Sequence, residues 1–253
     1  MAVAKRWKLL ACEIFYRECL ALMEETDAPV EVTFLPKGLH DVGKEKMSAE
    51  LAVALREAEA DVSCEAVLLA YGLCNYGIGG LTPQRVPLVI PRAHDCLTLF
   101  FGSRRRYEEY FFNHPGTYFQ TVGWLERADL AKPFVPDSFQ ARCGLNQTYE
   151  EFVQQYGEEN GRYLWETLTT MTRHYNHLAF LETNPETDTV FSRQAEDLAQ
   201  SQHWTFEKLP GDLTLLRDLI LGHWDDERFL IVPPGKTVTP TYDETLITID
   251  HVH

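Results

Sequence analysis

The sequence predicts an α/β protein with Rossmann-like parallel sheets, helices on both faces of each sheet, and two similar lobes. Two observations carry this expectation. Short apolar or alternating runs recur between stretches with helical spacing. Residues able to do chemistry fall just past the carboxyl ends of several of those runs, where open α/β sheets bind ligands.

The elements follow in order. Residues 8–13 (KLLACE) read as a first strand, and 15–25 as a helix carrying Phe15, Cys19, Leu22 and Met23 on its apolar face. Residues 30–35 (VEVTFL) alternate as a strand and stop at Pro36. Residues 48–60 are helical by their Ala, Leu and Glu content, with Ser48 expected as the N-cap. Residues 66–71 (AVLLAY) form a buried-type strand ended by Gly72, and 86–90 (VPLVI) another. Residues 97–112 read as a helix broken near Gly102-Ser103, and 117–122 as a strand ending at Gly123. Residues 126–148 contain Pro133, Pro136 and Gly144 without a clear period. They are expected to connect a first half, 1–125, to a second half, 149–253.

The second half repeats the alternation. Residues 149–172 are helical with a break between Gly157 and Gly161, 177–182 and 205–209 are strands, and 191–202 and 213–221 are helices. Residues 229–232 (FLIV) form a strand entering Pro233-Pro234-Gly235, and the Thr-rich tail from Thr239 adds an extended edge segment.

Composition narrows the function classes. A formal charge of −15 argues against general nucleic-acid binding and against an anionic membrane surface, both of which need a basic face. Arg104-Arg105-Arg106 is a local exception. It reads either as a solvated helix start beside Glu108 and Glu109 or, through Arg104, as a contact for a substrate anion. No apolar run approaches the ~20 residues that span a bilayer. The apolar stretch before Cys12 is too short for a signal peptide, so a cytoplasmic protein is expected. Six cysteines in such a chain are not a disulfide framework; they are buried small hydrophobes, reactive thiols or metal ligands.

Their positions separate these readings. Cys12 ends the first strand, Cys74 lies just past the third, and His94 and Cys96 follow the fourth. In a flavodoxin-like 2-1-3-4 order those three strands are neighbours, ~4.8 Å apart, so their ends share one edge. In an extended segment residues two apart face one side, so His94 and Cys96 can act together. Thiolates and a neutral imidazole are the donors that zinc accepts in four-coordinate geometry. Cys96 is also placed to open a helix, which would favour thiolate. Cys19 and Cys64 read as packing residues, and Cys143, in the connector, stays open.

Other groups surround this constellation. The loop Gly72 to Gly80 is glycine-rich without a nucleotide fingerprint; it reads either as close backbone approach to a ligand, with Asn75 and Gly79 as contacts, or as unusual turns. Glu13 is a candidate acid–base group and Arg92 a candidate partner for a substrate anion, and either reads equally as a structural ion pair. Asp95 is a helix cap or a support for a ligand. His174 and His177 have a spacing that could bind metal on a helix, without a partner carboxylate.

At Ala11-Cys12-Glu13, Tyr71-Gly72-Leu73-Cys74 and the run from Pro91 to Phe100, the chain resembles a bacterial and archaeal family known as domain of unknown function 1638. The resemblance runs most of the length and is best over 10–125. Members of that family often occur near corrinoid-dependent methyltransferase genes, so the resemblance implies one-carbon chemistry and a corrinoid protein or methyltransferase as partner. A second resemblance concerns site chemistry alone. Zinc methyltransferases that move methyl groups between corrinoids and thiols carry a His-x-Cys pair and a distant Cys, and His94 and Cys96 match the pair. The distant Cys follows the pair in those enzymes, whereas Cys12 and Cys74 precede it here, and 253 residues are too few for their barrel.

The expectation is therefore a zinc-dependent protein of methyl transfer. Cys12, Cys74 and Cys96 are its thiolate ligands, His94 is a fourth or auxiliary ligand, and a small-molecule thiol is the methyl acceptor. A non-catalytic metal or cofactor carrier and an iron–sulfur protein are the alternatives.

Overall fold

The computed structural model describes residues 6–127, 149–172, 175–184 and 187–250. Most of the expected connector lies outside these residues, with Cys143, and so does His174.

The first strand, β1 (Trp7–Cys12), sits between β2 (Val30–Leu35) and β3 (Ala66–Ala70), parallel to both. β3 pairs in parallel with β4 (Leu88–Pro91). The order β2-β1-β3-β4 is the flavodoxin-like one considered for the sequence, and it makes β1, β3 and β4 neighbours. All five residues of β3 are buried, so both faces of the sheet are covered. Helix α1 (Tyr16–Met23) follows β1 after a 3₁₀ turn, and α2 (Lys44–Ala60) packs on β1 and β3. Leu9, Leu10, Leu68 and Leu69 are at most 2% exposed. Each such side chain contributes about 1.5–3 kcal/mol, which fixes which runs become central strands.

Helix α2 starts four residues earlier than its composition suggests, behind Gly43, and Ser48 is not its N-cap. The Ser48 hydroxyl instead donates to the Gly79 carbonyl at 3.0 Å and ties the helix to the glycine-rich loop. The break near Gly102-Ser103 is present. Helix α3 (Cys96–Phe100) ends before Gly102 at φ +70°, and α4 (Arg104–Asn113) begins behind Ser103, whose hydroxyl accepts from Arg106 N–H.

A second sheet is parallel throughout: β5 (Thr117–Thr121), β6 (His177–Glu182) and β7 (Thr205–Pro210) in that order. Short α5 (Val122–Glu126) leaves β5, capped by the Thr121 hydroxyl. The helical region beyond is split as expected at Gly157, into α6 (Tyr149–Tyr156) and α7 (Glu158–Thr172). Helix α8 (Thr189–Ser201) packs on β6 and β7.

The two sheets interleave along the chain. β5 precedes the expected connector yet belongs to the second sheet. After α9 (Thr214–Leu221), β8 (Phe229–Val232) returns to the first sheet, antiparallel to β4. The Thr-rich tail forms a hairpin of β9 (Val238–Pro240) and β10 (Ile247–Ile249). Among the described residues no helix is long and apolar enough to cross a membrane.

Candidate functional site

Parallel pairing brings the carboxyl ends of β1, β3 and β4 to one edge, and β5 of the second sheet closes the other side. Between them lies a cavity of 480 Å³, within the range of about 300–1,000 Å³ typical of small-molecule sites. Cys12, Cys74, His94 and Cys96 all line it, as the order of strands predicts. The facing wall comes from Tyr107 and Phe111 of α4, Tyr118 and Phe119 of β5, and Trp124 of α5. The bidentate pair of Arg17 with Glu126 (2.7 and 3.0 Å) anchors α5, and so Trp124, to α1.

The loops holding the thiols are stitched backbone to backbone. Leu73 N–H donates to the Ala93 carbonyl at 2.8 Å and Cys74 N–H to the His94 carbonyl at 3.2 Å. At Gly72 the loops touch: a Cβ there would lie 2.5 Å from Asp95 Cα. The close approach at this glycine is therefore to protein, not to ligand. Next come three successive non-glycine residues in the left-handed region, Cys74 (φ 28°), Asn75 (φ 51°) and Tyr76 (φ 61°). Each costs about 1–2 kcal/mol, and such strain clusters at binding and catalytic sites. The turn aims Cys74 and Asn75 into the cavity, with Asn75 Nδ2 donating to the His40 carbonyl at 2.6 Å.

Asp95 organises the mouth. Its Oδ1 accepts from Thr98 N–H at 3.2 Å and caps α3, and its Oδ2 accepts from the Tyr107 hydroxyl at 3.0 Å. Oδ2 also lies 3.3 Å from His94 Nδ1, which raises the histidine's pKa. Asp95 thus caps α3, as one of its sequence readings expects, and also contacts His94. The His94 side chain is 66% exposed, so it stands at the solvent side of the cavity.

Burial sets the thiol chemistry. It pushes the Cys12 thiol up to about 11 and the Cys74 thiol up to about 12, with the neighbouring Asp95 and Cys12 adding to the shift at Cys74. Cys96 is raised well above the ordinary range, first by burial and then by Cys74, Asp95 and Cys12. Cys74 and Cys96 are half-buried as residues, but their sulfur atoms are densely surrounded. At Cys96 burial raises the thiol despite its place at the start of the short helix α3. The Tyr71 hydroxyl is buried and lines the cavity, where it interacts with the Cys12 thiol. It makes no hydrogen bond to a nitrogen or oxygen of the described residues, and a buried hydroxyl facing a cavity can still accept one from a ligand.

A pH dependence follows. In the unfolded chain Cys12 and Cys74 lose their protons near the ordinary thiol value of 9.0. The folded protein holds those protons to about 11 and 12. The folded state thus binds more protons across that window, and stability falls as pH rises through it. Urea midpoints of chelator-treated protein from pH 7.5 to 10.5 should fall with pH, and fall less in Cys12→Ala. Equal slopes in the two proteins would contradict the assignment.

Other expected site residues lie elsewhere. The Glu13 carboxylate accepts from Lys37 N–H at 2.8 Å and supports the start of the 3₁₀ turn Lys37–Val42. Arg92 turns away from the thiols and donates to the carbonyls of Asp226 at 3.1 Å, Thr245 at 2.9 Å and Ile247, holding the tail hairpin. Arg104 pairs with Glu108 at 2.8 Å and with the Glu244 carbonyl, so it is the helix-start arginine of the blander reading. Arg92 and Arg104 line a separate cavity of 370 Å³. Gly79 packs against Pro240, whose Cγ would lie 2.8 Å from a Cβ there. Cys19 and Cys64 are core residues, as their positions predict. His177 sits in β6, with Nδ1 2.7 Å from Thr205 Oγ1.

The donor set matches a thiophilic metal in kind: three thiols and an imidazole around one cavity. In the side-chain positions observed, no three His, Cys, Asp or Glu groups among the described residues lie close enough together to hold an ion. Closing a site requires these groups to come closer together. The aromatic wall and the left-handed turn are the features that sequence reasoning missed, and Asn75, a residue tolerant of that region, was their one local signal.

No curated protein and no solved structure matches the chain. The model of one family, described as a protein of unknown function (DUF1638), matches residues 34–220. The match includes Cys74, His94 and Cys96 and leaves Cys12 outside. This chain belongs to the DUF1638 family.

Proposed function

We propose that the cavity is a thiolate zinc site in a cytoplasmic protein of one-carbon metabolism. In this reading it serves methyl transfer to a small-molecule thiol, beside a corrinoid protein or methyltransferase. The observation that carries the reading is the convergence of three free thiols, from the ends of three neighbouring strands, on one cavity. Five free cysteines among the described residues agree with a reducing compartment.

Cys12, Cys74 and Cys96 would hold the ion, with His94 as fourth or auxiliary ligand. Bound zinc supplies Lewis acidity that lowers the pKa of an acceptor thiol towards neutrality. The chain's own residues do the rest. Asp95 Oδ2 orients His94 and Tyr107 together, the Tyr71 hydroxyl offers one hydrogen bond at the buried end, and the aromatic wall excludes water.

One observation favours the second reading, a non-catalytic metal or cofactor carrier. Glu13 and Arg92, the expected acid–base and anion groups, are both committed to backbone partners. Elemental analysis of protein purified without oxygen tests the site. One zinc per chain without colour supports either reading, and turnover of a methylated corrinoid with a thiol then separates them. Iron with acid-labile sulfide would replace zinc by a cluster, and the absence of any metal would leave three packing cysteines.

A further inference from the structure

We propose that the aromatic end of the cavity binds a methylated ammonium cation. The inference rests on the cavity being the functional site and not on its metal content. Eight Phe, Tyr or Trp residues line the cavity, and among the described residues no Lys or Arg does. Among the described residues Asp95 is the one carboxylate in the lining, and its bond with the Tyr107 hydroxyl places it at the rim of the aromatic wall. Aromatic faces attract a cation through their quadrupoles, most strongly when the cation is desolvated. The chain's formal charge of −15 adds a long-range attraction of the same sign. The long-range field disfavours an anionic substrate, and the cationic capacity of the lining is confined to the imidazoles of His40 and His94 among the described residues.

The hydrogen-bond inventory selects methylated over primary ammonium. A primary ammonium brings three N–H donors that need acceptors once buried. The charged acceptor in the lining is already committed: Asp95 serves Thr98, Tyr107 and His94, and beside the aromatic wall Thr121 Oγ1 accepts from Trp124 N–H at 3.2 Å. A quaternary nitrogen asks for no hydrogen bond and presents methyl groups to the rings Tyr107, Phe111, Phe119 and Trp124.

Calorimetric titration of the purified protein with choline, tetramethylammonium and ammonium chloride tests this, beside 3,3-dimethylbutan-1-ol, the neutral isostere of choline. The two methylated cations should bind saturably, with the isostere and plain ammonium each at least ten-fold weaker. Phe111→Ala should weaken choline by several-fold; its ring is 47% exposed, so folding is not at stake. Equal binding of the isostere would make this a general apolar cavity, equal binding of ammonium a mere acidic patch, and no saturable binding of either methylated cation would end the proposal. Zinc content measured on the same sample keeps the two readings apart. Cation binding without metal removes only the zinc site, and zinc without cation binding removes only this inference.

Discussion

Cys74→Ala is expected to lower zinc affinity by at least about 100-fold while leaving the protein folded. Outer-shell partners of zinc ligands already cost about 10–100-fold, so loss of a direct thiolate should reach or exceed that upper end. Alanine keeps the Cβ, so the left-handed backbone at φ 28° carries the same strain in the variant as in the parent. Only the sulfur leaves. Cys19→Ala is the matching control, because Cys19 is fully buried in the core and does not line the cavity. That variant should lose stability through its cavity and retain zinc. Competition with a chromophoric chelator reads both affinities. If Cys74→Ala bound zinc as the parent does, the strand-end thiols would be packing residues.

Gly72→Ala is expected to cost about 4 kcal/mol of stability. Overpacking alone costs about 1–3 kcal/mol where side chains can yield. Here the obstacle is backbone: the new Cβ would lie 2.5 Å from both Cα and C of Asp95 and 2.7 Å from its N. Relief requires the two loops to separate, which strains the bonds from Leu73 to Ala93 and from Cys74 to His94. Each is worth about 1 kcal/mol. For a domain of this size about 4 kcal/mol lowers the melting temperature by roughly 10 °C. A thermal scan that moves by less than 2–3 °C would mean that the loops slide freely. Gly79→Ala should cost less, because the far end of the Pro240 ring is what it meets.

Much of the scaffold was legible in the sequence, for a physical reason. Strands buried on both faces read as continuous apolar runs, and parallel pairing puts their carboxyl ends on one edge. Cys12, Cys74, His94 and Cys96 could therefore be gathered from positions far apart in the chain. What escaped depends on distant partners. Arg92 serves carbonyls of Asp226, Thr245 and Ile247, more than a hundred residues later, and nothing near Arg92 signals them. The aromatic wall is built from α4 and β5, which read locally as part of a helix and a strand, and from α5, which the sequence pattern does not separate from the end of that strand. β5 reaches the thiols only because it opens a second sheet. The three left-handed residues escaped because the loop's glycines drew the argument, while the strain sits on Cys74, Asn75 and Tyr76.

Sulfur-rich coordination is the central claim, and the zinc X-ray absorption spectrum of the loaded protein tests it most directly. The account predicts sulfur neighbours at about 2.3 Å from Cys12, Cys74 and Cys96, and a nitrogen neighbour at about 2.0–2.1 Å from His94. A shell of oxygen and nitrogen alone would contradict it and place the metal away from the thiols.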